Sequence, residues 1–185
     1  PMISEDFNIN TEGIYSSILP SATQYARNAL FAGMMPLDIK NNYPQYWKEE
    51  HEEGSLNEFE GELFKEQLKS LGLGSKNVKY TKVTNIHWAN KFVSNIHQNK
   101  EADVVALVYN FVDALSHART DVEVIRELAS DDNAYRRITA TWFEGSPLRK
   151  ALKWAAENGF KVVLTTDHGT VNVNKASKVV GTRDL

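Results

Sequence analysis

An α/β fold, a mostly parallel sheet sandwiched by helices, is predicted for this 185-residue chain by three observations. Two apolar runs, at residues 104–109 and 161–166, have the continuous Val/Leu character of strands buried on both faces. Around them, apolar residues recur at helical spacing. Strand-like runs alternating with helical patterns are the mark of βαβ units, whose crossovers lay helices over both faces of a parallel sheet. With 42% hydrophobic residues the chain can bury one sizeable core, and its length argues for one domain over 1–185.

Residues 14–19 form a short strand candidate closed by Pro20, which restricts Leu19 to extended geometry. A helix follows at once. Ser21 or Thr23 is its expected cap, and Tyr25, Ala26, Ala29, Leu30 and Ala32 make an apolar stripe up to Gly33. Residues 38–47 read as a short helix and a loop interrupted by Pro44, and residues 49–54 as an exposed acidic turn. Leu56, Phe59, Leu63, Phe64, Leu68 and Leu71 are spaced for a helix, with Gly72 and Gly74 as stop signals.

Residues 78–83 alternate like a strand, and a helix over 86–98 carries Trp88, Phe92, Val93 and Ile96 on one side before the run at 104. Asp121 is the expected N-cap of a helix through residue 128. Residues 134–158 continue the helical pattern, broken around Gly145-Ser146-Pro147 and ended by Gly159.

Composition narrows the chemistry. Lys+Arg 21 against Asp+Glu 24 gives a net charge of -3, so no global basic field favours long duplex nucleic acid. The absence of cysteine excludes a disulfide scaffold and any thiolate metal site, leaving carboxylate, imidazole and hydroxyl as ligands, and fits a reducing cytoplasm. No apolar stretch approaches the ~18 residues of a membrane span, and no signal peptide is seen, so the chain is expected to be soluble and not membrane-embedded. It opens on Pro1-Met2-Ile3 and closes on Gly181-Thr182-Arg183-Asp184-Leu185, neither resembling a natural cap or tail, which is expected of a piece of a larger protein.

Both apolar runs lead to a carboxylate with a histidine close behind. Residues 161–166 deliver Asp167-His168-Gly169, and residues 104–109 lead to Asp113 and His117. Open α/β sheets bind ligands beyond the carboxyl ends of their strands, so two such pairs can converge there. Either pair alone is weak: a strand-end Asp equally caps the next turn, and a lone His is more often structural. Together they suggest two neighbouring zinc or manganese positions that clamp a phosphoryl group. Thr23, near a helix N-terminus, suits the nucleophile, against the competing reading of an ordinary N-cap.

Arg27, one helical turn further, can contact a nonbridging phosphate oxygen and Asn28 can donate a hydrogen bond, although surface or packing roles compete. His51, His87 and His97 read as exposed or capping residues. Trp142-Phe143 fits the core better than a pocket wall.

The segments Leu19-Pro20-Ser21-Ala22-Thr23-Gln24-Tyr25-Ala26-Arg27-Asn28-Ala29-Leu30-Phe31-Ala32-Gly33-Met34-Met35-Pro36, Val108-Tyr109-Asn110-Phe111-Val112-Asp113-Ala114-Leu115-Ser116-His117 and Thr165-Thr166-Asp167-His168-Gly169 occur in this order. Together they resemble a PglZ domain of the alkaline phosphatase superfamily, over essentially the whole chain. Within that family the similarity is to the effector domains of response regulators associated with type IX secretion in Bacteroidetes.

The resemblance implies an alkaline-phosphatase-like core and a metal-dependent phosphodiesterase or phosphatase. Thr23 would be the phosphoryl-accepting nucleophile and a ligand of one divalent ion shared with Asp167 and His168, and Asp113 and His117 would hold a second. Zinc is the expected metal, with manganese the alternative. Implied partners are a nucleotide or oligonucleotide phosphodiester substrate, a receiver domain in the full protein, a secretion-system membrane protein or sigma factor, and a second copy in a homodimer. The family also has an earlier strand-end Asp and a later His that this sequence does not show, so the domain is expected to be incomplete at both ends. Two other functions remain in view: a signalling module docking to a secretion-system component with catalysis secondary, and a PglZ protein of phage defence.

Overall fold

The computed structural model describes residues 3, 6–49 and 51–169; Pro1-Met2, Glu50 of the acidic turn and the closing Gly181–Leu185 segment lie outside the described residues. Within them, α1 (Thr23–Ala32), α2 (Pro36–Asn42), a 3₁₀ turn (Pro44–Tyr46) and α3 (Glu60–Ser70) precede a βαβ unit. That unit comprises β1 (Val78–Val83), α4 (Ile86–Ser94), a second 3₁₀ turn (Ile96–Asn99) and β2 (Val104–Tyr109). Four further helices follow: α5 (Phe111–Asp121), α6 (Glu123–Leu128), α7 (Asp132–Gly145) and α8 (Pro147–Glu157). The mixed α/β class expected from the sequence is present.

β1 and β2 pair in parallel from Val78 opposite Val104 to Val83 opposite Tyr109. The Asn110 amide donates to the Val83 carbonyl at 3.2 Å, so both strands end at the same level. That end carries the start of α5. α4 supplies the crossover, capped by the Asn85 side chain accepting from the Trp88 amide and packed against β1 and α8.

α1 lies on α3, with Arg27 paired to Glu60 and the Phe31 ring edge-on to Phe64 at 5.6 Å between centroids. Ala32, Ile39 and Leu63 form a fully buried cluster covered by Met34, Tyr43, Tyr46 and Trp47. Burial of a side chain such as Ile39 or Leu63 contributes ~1.5–3 kcal/mol. Gly33, left-handed at φ 65°, ends α1 as its sequence position implies.

Several local expectations are corrected. Residues 14–19 and 161–166 are not strands among the described residues; Ile14 and Val163, at 102% and 88% exposure, show how little covers them. An apolar run becomes a strand only where a neighbour supplies ladder hydrogen bonds. Among the described residues the sheet accordingly has two strands, half-buried rather than buried on both faces. α1 is preceded by Ala22 with no side-chain cap, so neither Ser21 nor Thr23 caps it. Asp121 closes α5, and Val122 stands before α6. The helix from residue 86 stops at Ser94, where the Asn95 amide side chain donates to the Lys91 carbonyl and starts the 3₁₀ turn. No helix among the described residues is long and apolar enough to cross a membrane.

Candidate active site

Thr23 is the first residue of α1, and its hydroxyl is not spent on capping. Thr23 Oγ1 instead lies 3.3 Å from His168 Nε2. Asn57, buried in the loop before α3, holds this turn in place: its side-chain amide donates to the Thr23 carbonyl at 3.1 Å and to Asn28 Oδ1 at 3.0 Å. Asn28 in turn donates to the Leu56 carbonyl at 3.1 Å. The nucleophile candidate therefore sits on backbone fixed from a second segment.

Asp167 and His168 are brought to α1 by the extended segment 161–166. Ser17 Oγ donates to the Asp167 carbonyl at 2.7 Å, tying that segment to residues 14–19, and Thr166 Oγ1 donates to the His168 carbonyl at 2.8 Å. His168 Nδ1 lies 3.1 Å from the Gly169 carbonyl oxygen. A carbonyl only accepts, so Nδ1 is the donor in this contact, and in the corresponding neutral tautomer the Nε2 lone pair faces Thr23 Oγ1. An Nδ1–H held by a backbone carbonyl is also how metal-ligating histidines are oriented.

Asp167 Oδ2 is buried with no hydrogen-bond partner among the described residues. A buried acceptor left unsatisfied costs ~1–3 kcal/mol, more when charged, and a cation removes that cost. Hydroxyl, imidazole and carboxylate donors suit zinc or manganese, so the residues fit a divalent ion.

Asp113 and His117 stand one turn apart in α5, with Asp113 in its first turn and His117 Nε2 3.6 Å from Asp113 Oδ1. Both are exposed. Trp142 of α7 supports this turn by stacking on Phe111 at 3.6 Å between ring centroids, while Phe143 is core. The structure thus brings Thr23 together with His168, and Asp113 together with His117. Among the described residues, no three His, Cys, Asp or Glu side chains gather in one metal-binding group. His51, His87 and His97 are exposed.

Arg27 and Asn28 part company. Asn28 is buried, its amide donating to the Leu56 carbonyl and its Oδ1 accepting from Asn57, the packing arrangement that competes with a role as phosphate donor. Arg27 Nε donates to Glu60 Oε2 at 2.6 Å, and its Nη1 to Asn110 Oδ1 at 3.4 Å. Glu60, Asn57, Tyr80 and Lys82 were not singled out from the sequence. A signal for Glu60 existed: it falls four residues after Leu56 and three before Leu63, on the apolar face of α3, where an acid needs partners.

The mixed α/β core is consistent with an alkaline phosphatase-like domain, the class that implies a hydrolase. More narrowly, the family model described as the BREX system PglZ alkaline phosphatase-like domain matches residues 2–185, and the chain belongs to that family. No curated protein matches it.

Proposed function

We propose that the chain is a metal-dependent phosphodiesterase or phosphatase that acts on nucleotide or oligonucleotide phosphodiesters through Thr23. The observation that carries this reading is the 3.3 Å approach of Thr23 Oγ1 to His168 Nε2, beside the unpartnered buried oxygen of Asp167. Thr23, Asp167 and His168 would hold one divalent ion, zinc or manganese, and Asp113 with His117 a second. Such ions neutralise phosphate oxygens and lower the pKa of hydroxyl and water ligands.

The chain's own contribution is positional. The start of α1 presents its amides and the positive end of its dipole to an anion. Thr23 Oγ attacks phosphorus in line; the new Oγ–P bond forms as the bond to the leaving alcohol breaks. Water then cleaves the phosphothreonine and returns the hydroxyl. His168 Nε2, beside the Thr23 hydroxyl, is the atom through which His168 would hold the ion. A net charge of -3 suits a short, single-stranded or cyclic substrate better than long duplex DNA.

In this reading the chain is the effector domain of a PorX-type response regulator, behind a receiver domain in the cytoplasm. The BREX description of the family model favours phage defence as the second reading, with the same chemistry and different partners. A receiver domain upstream decides for the regulator. The chemistry is tested with a chromogenic phosphodiester and Zn²⁺ or Mn²⁺, using Thr23→Ala and Asp167→Ala. Loss of turnover in both is expected; full activity in both sinks the assignment.

A further inference from the structure

We infer that Glu60 is a positioning residue that holds Arg27 as a phosphate-binding clamp between the two halves of the site, an inference resting on the hydrolase reading above. Glu60 is 0% exposed, and its carboxylate meets Arg27 Nε at 2.6 Å, Lys82 Nζ at 3.1 Å and the Tyr80 hydroxyl. One buried carboxylate faces two cations, so the cluster carries a formal charge of +1, the sign that draws an anion.

The placement of Arg27 gives that charge a direction. It lies on α1 one turn beyond Thr23, and Nη1 reaches Asn110 at the end of β2, three residues before Asp113. Its guanidinium thus spans from the Thr23 half of the site to the Asp113 half. Nε is committed to Glu60 and one Nη1 hydrogen to Asn110, which leaves the second Nη1 hydrogen and those of Nη2 to form the planar fork that recognises phosphate. With the Arg27 side chain 12% exposed, only a small ligand docked against the site can reach it.

Tyr80 makes Glu60 a fixed anchor. Burial first, and then the Glu60 carboxylate, raise the phenol well above its ordinary range, so Tyr80 remains a donor. Gly61 allows that approach, because a Cβ there would stand 2.8 Å from the Tyr80 ring. Asn57 joins the same framework, its carbonyl accepting from Lys82 Nζ at 3.2 Å while its side chain holds Thr23.

The test is a double-mutant cycle in the full natural protein loaded with Zn²⁺. It is read by kcat and KM on bis(4-nitrophenyl) phosphate, the inhibition constant of inorganic phosphate, and thermal unfolding. Glu60→Gln keeps the side-chain volume and removes the charge; kcat falls about 10- to 100-fold and phosphate inhibition weakens. Combining it with Arg27→Ala brings no further loss in kcat, because Glu60 acts through Arg27. Arg27→Lys keeps the ion pair without the fork and loses phosphate affinity. A folded Glu60→Gln with kcat and phosphate inhibition within twofold of wild type overturns the inference, as does a loss fully additive with Arg27→Ala. Should Glu60→Gln not fold, wild-type phosphate inhibition in Arg27→Lys or Arg27→Ala overturns it instead. A fully active Thr23→Ala overturns the hydrolase reading itself, whereas an inactive Thr23→Ala beside unimpaired Arg27 variants overturns only the clamp.

Discussion

Thr23 Oγ1 and His168 Nε2 meet at 3.3 Å although 145 positions separate them in the chain. A threonine at a helix start ordinarily turns its hydroxyl onto the backbone amides of the first turn. Here Ala22 occupies the cap position and no side chain caps the helix, so the hydroxyl is directed outward to the imidazole. A polar group held for contact with a distant histidine serves chemistry better than folding.

Thr23→Val separates those two roles. It is nearly isosteric and leaves the helix backbone unchanged, so unfolding free energy shifts by less than ~0.5 kcal/mol, against ~1 kcal/mol for a lost cap. Turnover falls by about 10³-fold or more with the nucleophile gone. Urea denaturation beside kcat checks both, and a stability loss of a full cap would restore the capping role.

The Asn57 amide predicts a ranking of substitutions. Its two hydrogens serve the Thr23 carbonyl and Asn28 Oδ1, both acceptors. Asn57→Ala leaves buried acceptors unpaired and costs ~1–3 kcal/mol. Asn57→Asp is worse at neutral pH, since it places a carboxylate against them. Equilibrium unfolding gives the order wild type, Ala, Asp, and equal stability of the Ala and Asp variants would contradict it.

What the sequence disclosed was local. The helical stripes and glycine stops of α3, α7 and α8, both paired strands, and the Asp113–His117 pair depend on residues within a few positions of one another, where spacing determines geometry. Residues 161–166 show the reverse. Their apolar composition reads as a strand, but pairing depends on a partner that composition does not contain. Glu60 stands out on the apolar face of α3, but its partners do not, because Arg27, Tyr80 and Lys82 converge on it from α1 and β1 only once the chain has folded. The packing partners of Asn28 were equally out of sight, because the Leu56 carbonyl that accepts from its amide and the Asn57 amide that donates to its Oδ1 lie well downstream.

Gly61→Ala sets helix propensity against packing. Alanine favours the helix by up to ~1 kcal/mol, while its methyl group would lie 2.8 Å from Tyr80 Cδ1, near the root of a ring that cannot swing clear without losing Glu60. Overpacking of this kind costs ~1–3 kcal/mol, so the net effect is destabilising. In a Tyr80→Ala background the clash is absent, and the same substitution becomes neutral or stabilising. Thermal unfolding of the four proteins reads the change of sign.

Asp103 predicts an acid-sensitive clip at the other end of the sheet. Its Oδ2 accepts from the Asn77 amide at 2.8 Å, and Lys76 Nζ lies 3.3 Å from Oδ1, while the Asp103 amide donates to the Asn77 carbonyl at 2.9 Å. Residues 77 and 103 immediately precede β1 and β2, so the clip fixes the register in which the strands begin. The Asn77 hydrogen bond, and then Lys76, hold the carboxyl below its ordinary pKa of 3.8. Because the folded value is the lower one, the stabilisation is fully present above the unfolded pKa and is lost as pH falls through the folded one. Asp103→Asn removes that dependence: its stability difference from wild type is constant near neutrality and shrinks below about pH 4, where protonation takes the charge from wild type as well. Carboxyl NMR titration should place the Asp103 midpoint below 3.8, and a midpoint at or above it would mean that the clip does not favour the carboxylate.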